Sequence, residues 1–275
     1  MRSIRAALTT FVLLACGAAQ PQPNNAPVAP AASAVSKPAP APSQVEPSDA
    51  VARAQAVVAS ADRSEADRAL DAGRKAAELL TFSGVAPGMK VADLGAGGGY
   101  TTELLARAVG DSGSVYGQNS KFILGFAEAP WSARLATPAM KRAVRLDREF
   151  DDPLPAEVKD LDLVTMVLFY HDTVWLKTDR ERMNKVVFGA LKSGGHYVIL
   201  DHSSKPGDGL NVVQTLHRIE ESVVKAEVQK AGFVLEAESD AWRDASDTRD
   251  WSASPRTAGE RRGHSDRFAL RFAKP

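Results

Sequence analysis

The sequence predicts an α/β domain with a largely parallel sheet, and three observations carry that prediction. The stretch "VADLGAGGGYTTELLA" (91–106) passes from an apolar segment through a glycine turn into an amphipathic helix, as a parallel βαβ unit begins. Further on, short apolar runs alternate with segments of helical period. Residues Leu163 to Tyr170 are apolar except for Thr165, the pattern of a strand buried on both faces.

Taken in order, Asp49 to Leu80 is rich in Ala, Arg, Asp and Glu. Val51, Ala54, Val57 and Val58 recur there at helical intervals, which predicts two helices before the first strand. Asp67, Asp71, Arg74 and Lys75 on this lead-in are expected on a charged solvent face, in preference to closing over a ligand. Pro87-Gly88 turns the chain into the strand that ends at the glycines. A helix over 101–109, a turn at Gly110 to Gly113 and a strand in "SVYGQ" come next. A helical region over 122–140 and a strand in "RAVRLD" follow, and "REFDDPLP" then leads to the buried strand at 163–170. A helix over 180–191 enters "LKSGGHYVILDHS", a fifth strand. A helix and a sixth strand after Gly232 come next, and "DRFALRFAKP" alternates as a last strand. The polar segment 241–264, with Trp242 and Trp251, reads equally as a pocket rim and as a surface loop packed by its own tryptophans.

Glycine admits positive φ and lets a ligand reach the main chain, so Gly95, Gly97, Gly98 and Gly99 read as a cradle at the carboxyl end of a strand. A dinucleotide fingerprint starting at Gly95 needs a small residue at position 100, where Tyr100 stands, so a nicotinamide-dependent oxidoreductase is disfavoured. Asp93-Leu94-Gly95-Ala96-Gly97-Gly98-Gly99 instead resembles motif I of the class I S-adenosylmethionine (SAM) dependent methyltransferases. "LKSGG" resembles the segment that enters that family's fifth strand. The resemblance runs from about Ala61 to Pro275. In "AGRKAAELL", "VYGQN", "DDPLP", "FYHD" and "HRIEESVVKAEV" it is closest to a group of bacterial predicted methyltransferases.

The resemblance implies a Rossmann-like, seven-stranded, mostly parallel sheet of order 3-2-1-4-5-7-6, with an antiparallel last strand and helices on both faces. It implies SAM as cofactor and methyl transfer to an unidentified small or lipid-soluble acceptor. Gly95, Ala96, Gly97 and Gly99 would receive the methionyl part and Asp93 its amino group. Tyr100, Phe169 or Tyr170 would face the sulfonium, and Asp151 or Asp152 the adenine amino group, a loop-starting Asp-Pro turn being the competing reading. Gln118 and Asn119 stand where the family has an acid for both ribose hydroxyls; an amide loses the two-acceptor geometry. His171 beside Asp172, at the end of the fourth strand, is a candidate general base or a hydrogen-bonded turn pair. Asp201 and His202 line the substrate side or belong to a surface loop. The reading includes no metal site.

The chain has 34 basic and 34 acidic side chains and a formal net charge of zero, with no electrostatic footprint for nucleic acid. Met1 to Arg5 is basic, and Ala6 to Ala15 is apolar but too short to span a bilayer. The only cysteine follows at Cys16. Leu13-Leu14-Ala15-Cys16 resembles a bacterial lipobox, which implies a signal over 1–15, lipidation of Cys16 and anchoring to a bacterial membrane, facing the periplasm or exterior. Residues 16–47, rich in Pro and Ala, read as a disordered tether, and 48–275 as the folded domain. SAM is made in the cytoplasm, so a second reading stands beside the enzyme: a non-catalytic SAM- or nucleoside-binding lipoprotein that keeps the fold.

Overall fold

The computed structural model describes residues 47–275; the signal segment, Cys16 and the tether lie outside the described residues. The seven strands are β1 (Lys90–Leu94), β2 (Ser114–Asn119), β3 (Ala143–Asp147), β4 (Leu161–Val167), β5 (Leu191–His202), β6 (Val234–Ser239) and β7 (Arg267–Ala273). They form one sheet of order β3-β2-β1-β4-β5-β7-β6, as the resemblance implies. β1 to β5 pair in parallel, and β7 is antiparallel to both β5 and β6. Strand order reverses between β1 and β4, which opens a crevice at their carboxyl ends.

Side chains of period two divide the core between the two faces of the sheet. Val91 of β1, Val115 of β2 and Val198 of β5 pack with α1 (Pro47–Val58), α3 (Ala76–Ser83) and α4 (Tyr100–Val109). Ala92, Leu94, Tyr197 and Ile199 point to the other face, toward α7 (Arg180–Ala190) and α9 (Glu221–Lys230). The remaining helices are α2 (Glu65–Arg74), α5 (Lys121–Leu135), α6 (Tyr170–Trp175) and α8 (Val213–Leu216). Ser64, Ser120 and Asp179 accept from backbone N–H groups three residues on and so start α2, α5 and α7.

Three local expectations need correction. The lead-in holds three helices, because Lys75 adopts φ 52° and separates α2 from α3. Asp67 and Asp71 turn inward to arginines and not to solvent. The fourth strand stops at Val167: Leu168 takes φ 57° and donates its N–H to Leu200 O at 2.7 Å, and Tyr170 opens α6. Tyr170 is therefore a helical core residue.

Candidate functional site

The glycine turn follows β1 because only bare backbone fits two different demands there. Gly97 has φ 57°, and a Cβ built on it would meet nothing within 4 Å, so its main chain faces open space. Gly99 has φ 85°, and a Cβ there would lie 2.6 Å from the buried Trp131 ring, so this glycine serves packing. The turn is braced from β2 by two fully buried amides. Gln118 Oε1 accepts from Gly95 N–H at 3.0 Å, while its Nε2 donates to Arg148 O at 2.5 Å. Asn119 Oδ1 accepts from Gly97 N–H at 2.8 Å, and its Nδ2 donates back to Gly97 O at 3.0 Å. These side chains are committed to the turn.

α2 forms an adjoining wall. Arg134 of α5 donates to Gly98 O at 2.6 Å and to both oxygens of Asp67, at 2.6 and 2.9 Å. Arg63 binds Asp71 through two 2.7 Å bonds, and Tyr100 Oη donates to Asp71 at 2.6 Å. The Arg74 guanidinium lies 4.7 Å from the centre of the Tyr100 ring. Arg74 lines the cavity and forms no ion pair among the described residues, and burial disfavours its charge.

A cavity of about 670 Å³ occupies the crevice. It brings together Asp93, Gly95, Ala96 and Gly97 from the first turn, Tyr100 from α4, and Phe169, His171 and Asp172 beyond β4. It does not include Gly99, Gln118, Asn119, Asp152 or Tyr170. Tyr170 Oη donates to Glu227 at 2.8 Å and accepts from Asn184 at 2.9 Å, inside the core. Asp152 pairs with Arg148 at 2.5 Å on a half-exposed loop. Asp93 is buried, with its two oxygens taking hydroxyl bonds from Thr102 at 2.6 Å and Thr165 at 2.9 Å. Burial pushes its carboxyl up to about 6 against those bonds and the Arg74 charge.

Another part of the cavity lining is histidine-rich. His171 Nδ1 lies 2.7 Å from Asp201 Oδ1 of β5, and His171 Nε2 lies 3.2 Å from Asp172 Oδ1. Burial opposes a charged imidazole there, yet the Asp201 and Asp172 carboxylates outweigh it and raise His171 to about 10. His217, which sequence reasoning did not single out, places Nδ1 3.3 Å from the same Asp172 oxygen. Trp175 Nε1 also donates to that oxygen at 2.8 Å. Burial would raise the Asp172 carboxyl, but the bonds from His171 and His217 hold it well below the usual range. His202 lines the cavity too, its Nδ1 2.7 Å from Ser265 Oγ; burial and then the His171 charge push it well below its ordinary value. The signal that finds this end is scarcity: three of the five histidines of the chain line one cavity.

The segment 241–264 forms part of the cavity rim, while its Trp242 packs with Leu79, Leu200 and Ala269 of the core and not within its own loop. Trp242 is buried and donates to Arg74 O at 3.1 Å, whereas Ala253 to Arg256 line the cavity. Arg218, fully buried, ties this segment to the end of β5 by bonding Trp251 O at 3.1 Å, Ser203 O at 3.0 Å and Asp247 at 2.7 Å.

No family model and no curated relative matches the chain. Among solved structures it is similar to a SAM-dependent methyltransferase from Aquifex aeolicus, with 14% identity over 84% of this chain and 100% of that one, at a TM-score of 0.54. It is also similar to an arsenic(III) S-adenosylmethionine methyltransferase from Chlamydomonas reinhardtii, with 19% identity over 80% of this chain and 72% of that one, at a TM-score of 0.50. The chain thus has the Rossmann-like fold of SAM-dependent methyltransferases. At these identities the likeness is one of fold.

Proposed function

We propose that this protein is a SAM-dependent methyltransferase acting on a small or lipid-soluble acceptor. The observation that carries the reading is one cavity, at the reversal of strand order, lined both by the bare Gly97 main chain and by the His171–Asp172 pair. When bound, SAM supplies an electrophilic methyl group on a sulfonium. The residues present fit its methionyl part: Gly97 leaves room, Asp93 is an acid for the ammonium, and Arg74, which pairs with no acid among the described residues, is a cation for the carboxylate. Phe122, Ile123, Phe126 and Pro130 form an apolar stretch of the cavity wall, Phe122 and Phe126 at its exposed rim, and it suits an apolar acceptor. On the acceptor side, His171 and Asp172 face the cavity and orient the nucleophile.

Gln118 and Asn119, held by the turn, provide no carboxylate for a pair of sugar hydroxyls, and this is the observation that favours a binding-only lipoprotein as the second reading. Incubation with methyl-labelled SAM and a panel of small and lipid-soluble acceptors separates the two. The enzyme reading expects label in an acceptor together with S-adenosylhomocysteine, and a loss of about a hundredfold in His171→Ala with SAM affinity retained. Saturable SAM binding with no transfer to any acceptor would instead support the binding-only reading. The lipobox-like run at Cys16 supports anchoring to a bacterial membrane outside the cytoplasm. Cys16→Ser should release the protein from the membrane fraction; retention there would remove the anchor.

A further inference from the structure

Three side chains at the histidine end of the cavity meet as metal ligands meet. Asp201, fully buried at the end of β5, accepts from His171 N–H at 2.8 Å and His202 N–H at 2.7 Å, and its Oδ1 lies 2.7 Å from His171 Nδ1. An imidazole whose Nδ1–H is tied to a carboxylate presents Nε2 as a lone pair in a fixed direction, the arrangement that commonly stands behind a metal-bound histidine. His171 Nε2 lies 3.2 Å from Asp172 Oδ1, and an ion bound there would take the place of the proton between them. The Nδ1 of His217 meets the same oxygen at 3.3 Å, and one ligand atom from each of the three residues lies within 4.8 Å of the others.

Donors bound at about 2.0–2.2 Å to one ion lie roughly 3.0–3.5 Å apart at tetrahedral or octahedral angles. The two separations to Asp172 fall in that interval. Trp175 Nε1, bonded to Asp172 at 2.8 Å, adds the outer support that ligating carboxylates usually have. The three residues come from the start of α6 and the turn after α8, and they face the cavity and not the core.

The geometry points to a binding site for one divalent first-row transition ion, held by His171 Nε2, an Asp172 carboxylate oxygen and His217 Nδ1, with its open positions toward the cavity. Two imidazoles and one carboxylate suit zinc, iron(II), cobalt or manganese in preference to calcium or magnesium, which take oxygen. The open positions suit an oxygen ligand. Resting on the methyltransferase reading, that ligand is a hydroxylated acceptor: its O–H proton passes to water, the oxygen–methyl bond forms as the sulfur–methyl bond breaks, and S-adenosylhomocysteine leaves. His171 and Asp172 then act as ligands and not as the proton acceptor.

The test uses the full chain, stripped with a chelator and titrated with Co²⁺ while visible absorption and thermal melting are followed. One equivalent should bind with ligand-field bands and raise the melting temperature. Asp201→Asn should weaken binding about 10- to 100-fold, as loss of an outer-shell partner does. His217→Asn, chosen because asparagine tolerates the left-handed backbone found at φ 49°, and Asp172→Asn should weaken it further. His196→Ala, outside the cavity beside Glu236, should bind as the parent does. Absence of stoichiometric binding by Co²⁺, Zn²⁺, Fe²⁺ and Mn²⁺ would overturn the site. So would parent-like affinity in a His217→Asn or Asp172→Asn protein that circular dichroism shows to be folded. SAM titrated into the same samples keeps the claims apart: metal binding without SAM binding removes the methyltransferase reading and leaves the metal site, and the converse removes only the metal site.

Discussion

At the end of β1 the cavity wall is main chain, with Gly97 open to it, whereas at the ends of β4 and β5 it is side chain, built from His171, Asp172 and His202. The first wall is made within one strand–turn–helix unit. The second is assembled from α6, the end of β5 and the turn after α8, and is oriented by Asp201 and Trp175. The contrast separates two tasks: a backbone wall admits a ligand by leaving space, and a side-chain wall acts on it by placing lone pairs and charge.

The largest effect expected at the backbone wall strikes its foundation. In Gly117→Val the new Cβ would lie 2.5 Å from Trp131 and 3.1 Å from Thr102. The cost should be about 3 kcal/mol or more, read as a fall in the urea midpoint. Gly97→Val should behave otherwise: strain from the left-handed backbone costs about 1–2 kcal/mol, the fold survives, and SAM affinity falls more than about tenfold because the space is filled. Parent-like SAM affinity in that variant would remove the cradle.

A smaller effect follows from Asp93, raised to about 6 from an ordinary 3.8. The folded carboxyl keeps its proton where the unfolded one has lost it, so its contribution to stability is full below about pH 4 and is lost as pH rises to about 6. Binding of an ammonium runs the other way and weakens below about pH 6. Asp93→Asn should flatten both profiles, as urea unfolding and calorimetry across pH 4–7 would report; unchanged profiles would assign them to another group. The smallest effect belongs to Asp152, whose half-exposed pair with Arg148 is worth about 0–1 kcal/mol. Asp152→Asn should leave SAM affinity as it is, and a clear loss would extend the ligand beyond the cavity described.

The same contrast explains what the sequence made legible. The alternating α/β class, the glycine turn and the adjacency of His171 and Asp172 could be read from local pattern, whereas the strand order came only with the resemblance to the class I methyltransferases. The solvent-face reading of Asp67 and Asp71 failed because charge alone does not say which way a helix turns; Arg134 and Arg63 decide it from other elements. Gln118 and Asn119 were legible as a missing acid but not as struts, since an amide can face a ligand or its own loop. His217 escaped because no spacing rule links a turn after α8 to the end of β4. Only the folded sheet brings them to one oxygen.

The most direct test of the central claim is calorimetric titration of the parent chain and Gly97→Val with SAM and S-adenosylhomocysteine. The account predicts saturable one-to-one binding of both by the parent and its loss in the variant. No heat with the parent, or equal affinity in the two proteins, would contradict it.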